Sequence, residues 1–376
     1  MTEPFTAADE RFMRRALALA ERGRGTTQPN PTVGAVIVRA GRIVGEGFHR
    51  KAGEAHAEIN ALEALRGSAR GTTIYVTLEP CDHTGRTPPC TATLLKARPA
   101  RVVIGCRDPN PIVNGRGIRR LRRAGIQVDV GCLEEKCQAA IRAYATWVRE
   151  RRPLVTLKAA ATLDGFIAEA GARKRRGPVW ITGPAARRAA HELRAGHDAI
   201  LVGAGTVRAD DPRLTVRLPG RRQARPPLRV VLKGRHALPE QARVLDGAAP
   251  TLIIHAPRGR IAPARALAQL AARGIQSVLI EGGAGVAGAF IAAGLVDRVA
   301  FFLAPKLLGG GLAIATGAGL TVARALPLKG LHVRAVGPDL LLTAEVDRPR
   351  NPRTGSEPPA MRSDGRSPSS QDANRL

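Results

Sequence analysis

The sequence predicts an α/β protein made of two domains. Short apolar strands alternate with helix-length amphipathic segments along most of the chain, a pattern typical of a partly parallel sheet covered by helices. The chain has 376 residues, which is too many for one small core at roughly 150 residues per domain. The alternation starts again after Arg151-Arg152-Pro153, so we place the first domain at 1–150 and the second at 151–347.

The first domain is predicted to open with a helix over 6–23, which has helical apolar spacing and stops at Gly23. Ala40-Gly41 lies between two apolar runs and predicts a hairpin turn. The predicted strands cover 33–39, 42–47, 73–77, 101–105 and 126–130. The predicted helices between and after them cover 56–66, 89–97, 116–124 and 134–150.

The second domain repeats this alternation. Its predicted strands cover 154–160, 199–203, 228–232, 251–255, 277–281 and 299–303, and its predicted helices cover 184–195 and 285–293. Residues 306–335 are rich in Gly and Leu, and their pattern is ambiguous. The basic tail, 348–376, holds Pro, Ser and Arg with almost no apolar residue, and we expect it to be disordered.

The net charge of +28 is spread along the whole chain and comes mostly from Arg. The basic stretches at 119–123, 173–176 and 221–225 contain no aromatic residue, whereas platforms that stack single-stranded nucleic acid usually interleave aromatic and basic side chains. We therefore expect no nucleic-acid partner. A phosphorylated small-molecule substrate accounts for part of the charge with fewer assumptions.

Composition also bears on the cellular compartment. The sequence has no run of 18 or more apolar residues, which predicts no membrane span, and its first residues are acidic before they are apolar, the reverse of a signal peptide. The five cysteines, at 81, 90, 106, 132 and 137, are too sparse for a disulfide framework. We expect a cytoplasmic protein.

The pattern that carries the most chemistry is His56-Ala57-Glu58, followed by Cys81 and Cys90. One imidazole and two thiolates are ligands that Zn²⁺ takes in a tetrahedron, and a catalytic zinc keeps its fourth position for water. His56 and Cys90 fall in the first turns of two predicted helices, where the positive helix end favours a thiolate. Glu58 can reach that water without binding the metal and can pass its proton to a leaving amine. These residues predict a zinc-dependent nucleobase deaminase.

Two alternatives use the same residues. The zinc could be structural, in a basic nucleic-acid-binding protein, although three ligands beside an acid suit catalysis better. The chain could also be a zinc-dependent nucleic-acid deaminase, acting on tRNA adenosine or on cytidine, with an appended domain. Glu58 separates a catalytic from a structural metal, because only the catalytic one needs a nearby proton carrier.

The segment EPCDHTGRTPPC, at 79–90, resembles the zinc loop of the bifunctional riboflavin-biosynthesis deaminase/reductase family. Its cysteines are nine positions apart, whereas single-domain cytidine and tRNA-adenosine deaminases typically separate theirs by two residues. The resemblance runs over roughly 8–345. It also rests on PNPTVG (29–34), GFH (47–49), DPNP (108–111), LKAAATLDG (157–165), WITG (180–183), VGAGTV (202–207), ADDP (209–212) and APKLLG (304–309).

This resemblance implies two successive reactions on one phosphorylated pyrimidine. The N-terminal domain is expected to have the cytidine-deaminase-like three-layer α/β/α fold and to hydrolyse the 2-amino group of a diaminopyrimidinone ribosylamine 5′-phosphate. The C-terminal domain is expected to have a dihydrofolate-reductase-like α/β fold and to use NADPH to reduce the ribosyl group to ribityl. By the same resemblance, Asn30, His49 and His83 line the deaminase pocket. The family tends to form dimers or tetramers, so we expect a homo-oligomer.

For the reductase, the resemblance places Ala160, Trp180, Thr206 and Asp210 against the cofactor, and Arg194, Leu214, Arg217 and Glu281 against the substrate. Two expectations about the reductase do not depend on the resemblance. Arg194 and Arg217 have the geometry to clamp a phosphate. Gly283, Ala284 and Gly285 follow a predicted strand and open a predicted helix, where backbone N–H groups can approach a pyrophosphate.

The sequence departs from the family at several positions. Asp82 stands where Ser is usual, and Ala55 stands where Pro is common; neither changes the metal chemistry. In the reductase, the segment 169–179 is longer than usual. Pro178 replaces a Ser that contacts substrate and has neither a hydroxyl nor an N–H, and Lys233-Gly234 replaces an Asp-Ser pair near the cofactor. We expect the four basic residues at 173–176 to form a solvated loop.

Overall fold

The computed structural model contains one large β-sheet in each half of the chain and a small two-stranded sheet in the C-terminal half. Both large sheets are covered by helices, so the predicted α/β class is confirmed. Among the described residues, no helix is long and apolar enough to cross a membrane. The structure describes residues 5–84, 88–171, 179–220, 225–234, 237–256 and 261–348.

In the described part of the N-terminal half, five strands form a sheet in the order β2-β1-β3-β4-β5. Strand β1 pairs antiparallel with β2 and β3, and β3, β4 and β5 are parallel. The strands are β1 Gly34–Arg39, β2 Arg42–Phe48, β3 Thr73–Leu78, β4 Arg101–Cys106 and β5 Gln127–Val130. The helices are α1 Ala7–Glu21, α2 Ala57–Ala64, α3 Cys90–Ala97, α4 Arg116–Arg123, α5 Glu134–Ala140 and α6 Arg142–Glu150.

Alternation along these strands creates three layers. Ile37 and Val76 point to the face covered by α2, α3 and α4, whereas Val36 and Tyr75 point to the face covered by α1, α5 and α6. Helix α1 begins at a capping box in which Thr6 and Asp9 exchange hydrogen bonds. This is the three-layer α/β/α arrangement expected of the first domain.

In the C-terminal half, eight strands of the described residues form a sheet in the order β10-β9-β8-β11-β6-β12-β15-β14. The strands of this sheet are β6 Leu154–Thr162, β8 Ala199–Gly203, β9 Leu228–Lys233, β10 Thr251–His255, β11 Ser277–Ile280, β12 Arg298–Ala304, β14 Leu328–Val336 and β15 Asp339–Val346. Two further strands, β7 Phe166–Ala168 and β13 Leu312–Ala313, pair antiparallel with each other in the small sheet. The helices are α7 Pro184–Ala195, α8 Ala204–Asp210, α9 Pro263–Ala271 and α10 Ala284–Ala292. The first six strands in this order, from β10 to β12, are parallel to their neighbours. Strands β15 and β14 are added at one edge in antiparallel pairs.

One predicted element needs correction, and one ambiguous stretch is resolved by the structure. The helix expected at 134–150 is broken at Ile141, which has φ −103° and ψ 10° and separates α5 from α6. The undecided stretch 306–335 contains β13 and most of β14, and β14 is exposed along nearly its whole length. An exposed strand has no buried face, so it shows no alternation of apolar and polar residues that would reveal it in the sequence.

The two halves meet close to the predicted domain boundary. The guanidinium of Arg152, which is buried, donates to both carboxylate oxygens of Asp297, at 2.6 and 2.8 Å. The same carboxylate accepts the backbone N–H of Val155 at 2.8 Å. Trp147 on α6 donates its Nε1–H to the carbonyl of Ala271 at 3.1 Å. These bonds fasten the end of the N-terminal half, including its last helix, to the C-terminal half.

The packing of α2 on β2 yields a stability prediction. A Cβ at Gly47 would overlap the backbone nitrogen of Ala61 and the carbonyl oxygen of Ala57, neither of which can move without displacing α2. We expect Gly47→Ala to lower the free energy of unfolding by about 1–3 kcal/mol through overpacking. Thermal unfolding measures this loss.

Gly310→Ala is the matched control for this substitution. A Cβ at Gly310 meets nothing within 4 Å. Gly310 is also absent from the glycines with positive φ. Equal melting temperatures for the two variants would contradict the close packing of α2 on β2.

Candidate active sites

The first site lies where two helices of the N-terminal half begin. His56 is the residue that precedes α2, and Cys90 is the first residue of α3. Cys81 follows β3 by three positions, and its Sγ accepts the backbone N–H of Cys90 at 3.4 Å. His56 Nδ1 lies 3.1 Å from Cys90 Sγ and 3.6 Å from Cys81 Sγ. The three predicted ligands therefore converge.

This donor set fits zinc. The three ligand atoms lie within 4.8 Å of one another, the only such group of His, Cys, Asp and Glu among the described residues. Tetrahedral zinc with bonds of about 2.3 Å to sulfur and about 2.0 Å to nitrogen separates neighbouring ligands by roughly 3.5–3.8 Å. Hydrogen bonds from Cys90 and His56 outweigh burial and lower the pKa of Cys81 to about 4. Cys81 is thus a thiolate at neutral pH, the form that binds a metal.

Glu58 lies in the first turn of α2, two positions after His56. Its side chain is 4% exposed, and burial raises the pKa of its carboxyl above the usual range, although the charge on His56 opposes the shift. A raised pKa makes this carboxyl a stronger acceptor of a proton, which suits a group that takes up a proton and passes it on. Its position beside the ligands is the one predicted for a proton carrier.

One predicted pocket residue, His49, lies against the predicted metal ligand His56, and a second, Asn30, is bonded to His49. Asn30 Nδ2 is 3.1 Å from His49 Nε2, and His49 Nδ1 is 3.1 Å from the carbonyl of Ala55. A carbonyl only accepts, so Nδ1 of His49 carries the proton and Nε2 accepts from Asn30. The His49 ring meets the His56 ring edge-on, with centroids 5.2 Å apart. His83, the third predicted residue, has a buried Nδ1 without a hydrogen-bond partner among the described residues.

A further set of side chains, which the sequence did not indicate, joins the two cysteine segments. Asp82 follows Cys81, and its Oδ1 accepts from Thr91 Oγ1 at 2.6 Å and from Arg120 Nη1 at 2.5 Å. Thr91 follows Cys90, so this bond ties the segments at the residues next to the ligands. The departure from Ser at position 82 thus comes with its own cationic partner on α4.

The second site is a cleft of about 1590 Å³ in the C-terminal half, which adjoins a smaller space of about 390 Å³. The cleft opens where β8 and β11 end and α8 and α10 begin. All of the predicted cofactor and substrate residues of the reductase line one or both spaces. They are Ala160, Trp180, Arg194, Thr206, Asp210, Leu214, Arg217, Glu281, Gly283, Ala284 and Gly285.

A buried ionic cluster forms the floor of this cleft. Glu281 directly follows β11 and accepts from Arg194 Nε at 2.5 Å and from Arg194 Nη2 at 2.9 Å. Lys158 Nζ lies 3.6 Å from the same carboxylate. Burial opposes ionisation of Glu281, but Arg194 and Lys158 outweigh it and lower its pKa to about 2. Glu281 is therefore charged throughout the physiological range.

This cluster changes one expectation. The fork of Arg194 was expected to clamp a phosphate together with Arg217, but its two-pronged face is occupied by Glu281. Arg217 is exposed at the edge of the cleft, and its guanidinium bonds to no carboxylate among the described residues. Of the two arginines, Arg217 is the one with a guanidinium available to an anion.

The expected cofactor side of the cleft has two notable contacts. The backbone N–H of Gly283, which precedes α10, donates to Thr206 Oγ1 at 3.0 Å and so fixes the glycine loop against α8. The Trp180 side chain is 58% exposed, and the guanidinium of Arg187 lies 4.7 Å from its ring centroid. Gly234 lines the cleft as well. Pro178 and the basic stretch 173–176 lie outside the described residues.

Two residues of the cleft were missed in the sequence. Lys158 interrupts the apolar strand β6, and a lone charge inside such a strand was the signal that could have identified it. His191 on α7 accepts the backbone N–H of Arg217 at its Nδ1, and burial together with Arg194 and Arg217 lowers its pKa to about 4. Nothing in the sequence around His191 distinguishes it from a surface residue.

Comparison with known families identifies both halves. The family of the cytidine and deoxycytidylate deaminase zinc-binding region matches residues 6–106. The RibD C-terminal domain family matches residues 153–342. The two matches contain, respectively, the metal-ligand site and the cleft described above.

Similarity to individual proteins extends over nearly the whole chain. The riboflavin biosynthesis protein RibD of Bacillus amyloliquefaciens is 44% identical over 89% of this chain and 96% of its own length. RibD of Escherichia coli (strain K12) is 41% identical over 89% and 98%.

Solved structures agree with these sequence relatives. Acinetobacter baumannii RibD is 38% identical, with a TM-score of 0.82 over 91% of this chain and 99% of that one. A Thermotoga maritima diaminohydroxyphosphoribosylaminopyrimidine deaminase/5-amino-6-(5-phosphoribosylamino)uracil reductase is 38% identical, with a TM-score of 0.81 over 90% and 99%. Identity at this level over both halves, with both folds in the same order, shows that the chain belongs to the RibD family of riboflavin biosynthesis proteins.

Proposed function

We propose that the two sites described above carry out the two reactions of this family, with the residues in the roles given below. The chain is a bifunctional deaminase and reductase of riboflavin biosynthesis, with zinc and NADPH as its cofactors. The single observation that carries the assignment of roles is the convergence of His56, Cys81 and Cys90 beside the buried Glu58.

In the deaminase step, His56, Cys81 and Cys90 hold the zinc. Zinc supplies a Lewis acid that makes water a nucleophile at neutral pH. Glu58 accepts a proton from the attacking water and delivers it to the departing amine, so that ammonia leaves and a carbonyl replaces the 2-amino group. Asn30, held by His49, and His83 orient the pyrimidine.

In the reductase step, NADPH supplies a hydride to the ribosyl group. Ala160, Trp180, Thr206 and Asp210 line the cofactor's side of the cleft, with the glycine loop 283–285 at the start of α10. Arg217 offers a charge to the substrate phosphate. Glu281, Arg194 and Leu214 form the wall against which the sugar lies. Because Glu281 stays ionised, it accepts hydrogen bonds from sugar hydroxyls over the whole working pH range.

We also propose the domain limits 1–150 and 151–347 and a cytoplasmic location without a nucleic-acid partner. The break in the sheet order between β5 and β6 supports the boundary. The five cysteines include the two expected zinc ligands, and none is in a disulfide, which suits a reducing compartment. The proposed disordered tail, 348–376, lies outside the described residues except for Arg348.

A homo-oligomer is proposed on the basis of β14. This strand forms one end of the larger sheet, and its other edge has no strand paired with it among the described residues. Leu331 and Val333 on it are 62% and 49% exposed. Long exposed apolar edges readily pair with a second chain, so we propose that two copies associate through β14.

The decisive experiment on function supplies the phosphorylated diaminopyrimidine and follows ammonia release and NADPH oxidation separately. We expect Glu58→Gln to lower ammonia release by about 10²–10⁴-fold, because the proton carrier is lost. Bound zinc should remain stoichiometric, and NADPH oxidation on the already deaminated intermediate should be unchanged.

Glu63→Gln is the control, since Glu63 is exposed on the same helix. Ammonia release by Glu58→Gln at the rate of Glu63→Gln would refute the role of Glu58. A wild-type chain that releases ammonia without oxidising NADPH would show that the departures at Pro178 and Lys233-Gly234 have removed the second activity.

Cofactor binding can be measured at Trp180. The chain has two tryptophans, so Trp147→Phe leaves Trp180 as the only source of tryptophan fluorescence. We expect NADPH to quench this fluorescence in a saturable way, because the exposed ring lies in the proposed cofactor cleft. Arg187→Ala removes the guanidinium that lies over the Trp180 ring and so tests the contribution of this contact. An unchanged spectrum at saturating NADPH would contradict the placement of the cofactor.

The oligomer has its own test by light scattering. Leu331→Lys should shift the protein towards monomer, because a charge on an edge strand opposes pairing. Val322→Lys adds the same charge at an apolar residue that is 96% exposed but lies outside β14. If light scattering gives both variants the same particle mass in solution as the wild type, the proposal that two copies associate through β14 is wrong.

A further inference from the structure

The turn that carries Asn30 is in contact with the other half of the molecule. Gln276, the residue before β11, donates its Nε2–H to the carbonyl of Pro29 at 2.6 Å. Gln28 donates its Nε2–H to Asp198 Oδ1 at 2.5 Å, and Asp198 is the residue before β8. The residues on both sides of the Gln28-Pro29 bond are thus held by the reductase sheet.

The holding groups are themselves fixed. Gln276 is 5% exposed, and its backbone N–H donates to Asp198 Oδ2 at 2.9 Å. The same oxygen accepts the backbone N–H of Ser277 at 3.0 Å, and Ser277 Oγ accepts the backbone N–H of Asp198 at 3.0 Å. Asp198, Gln276 and Ser277 therefore form a rigid platform at the start of two parallel strands.

On its other side, the turn leads directly to the deaminase site. Asn30 donates to His49, whose ring packs edge-on against that of the metal ligand His56. Within the N-terminal half, Thr26 and Thr27 hold the turn: Thr26 Oγ1 donates to the carbonyl of Arg50, and the Asn30 N–H donates to the carbonyl of Thr27. Between Thr27 and Asn30, side-chain bonds come from the reductase half.

We infer that Gln276 is a positioning residue for the deaminase. Together with Asp198 and Gln28, Gln276 holds Asn30 against the pyrimidine from the side of the reductase half. This inference rests on the proposed role of Asn30 in binding the deaminase substrate. The platform lies at the opposite end of β8 and β11 from the reductase cleft, which opens after Gly203 and Ile280. Loss of the Gln276 side chain should therefore affect deamination and spare reduction.

The test is Gln276→Ala in the full-length, zinc-loaded protein. We expect the KM of deamination to rise about 3- to 10-fold, the effect of one lost hydrogen bond, with a smaller change in kcat. Zinc content and NADPH oxidation on the deaminated intermediate should equal those of the wild type. Trp147→Phe is the matched control, because it removes a different bond between the halves, far from Asn30 in the chain.

A double-mutant cycle with Asn30→Ala makes the test specific. If Gln276 acts through Asn30, Gln276→Ala should raise KM little further in the Asn30→Ala background. An equal rise in both backgrounds, an unchanged KM in Gln276→Ala, or the same rise in Trp147→Phe would overturn the inference.

Two further outcomes, a variant that does not fold and a wild type that does not release ammonia, are distinguished as follows. If Gln276→Ala does not fold, as judged by thermal unfolding, Gln276→Glu decides, since it keeps the size of the side chain but presents an acceptor to the Pro29 carbonyl. A rise in KM for this variant supports the inference, and wild-type kinetics refute it. Failure of the wild type to release ammonia refutes the proposed function itself, before any variant is compared.

Discussion

Parallel strands bring their carboxyl ends to one edge of a sheet, and both candidate sites of this protein depend on that constraint. In the N-terminal half, β3 ends at Leu78 and the chain reaches Cys81 three residues later, opposite the start of α3. In the C-terminal half, β8 ends at Gly203 before Thr206, and β11 ends at Ile280 before Glu281. In each case a helix begins near the chemically active side chain and adds the partial positive charge of its first turn.

The charge distribution shows how a chain of net charge +28 builds a specific site. At the floor of the cleft, Glu281 is paired with Arg194 and Lys158, so a buried carboxylate is compensated by two cations. At the edge of the cleft, Arg217 has no carboxylate partner among the described residues and stays available to an anion. Asp82 and Arg120 show the same local compensation beside the metal ligands. The overall excess of Arg therefore says less about binding than the few positions where a cation lacks a carboxylate.

The two halves are joined by more than a linker. Arg152 and Asp297 fix the connection between them, and Gln276 and Asp198 contact the turn before Asn30. Because Asp198 and Gln276 precede their strands and the cleft follows them, the contact with the deaminase and the reductase cleft lie at opposite ends of β8 and β11. A strand of five residues spans about 16 Å at roughly 3.3 Å per residue. One sheet thus contacts the turn before Asn30 at one end and bears the reductase cleft at the other.

Local chemistry was readable from the chain alone. The ligand set His56, Cys81 and Cys90 with Glu58, the helix starts at α2, α3 and α10, and most strands follow from side-chain type and short-range periodicity, which need no distant partner. Contacts between residues that are distant in the sequence could not be predicted from it. Glu281 taking the fork of Arg194 from 87 positions away, Lys158 and His191 entering the cleft, and Gln276 reaching Pro29 all depend on how the sheets bring separated segments together. The exposed strand β14 was not predicted from the sequence for a related reason. Its residues are ordered by hydrogen bonds to β15 and not by a buried face of their own.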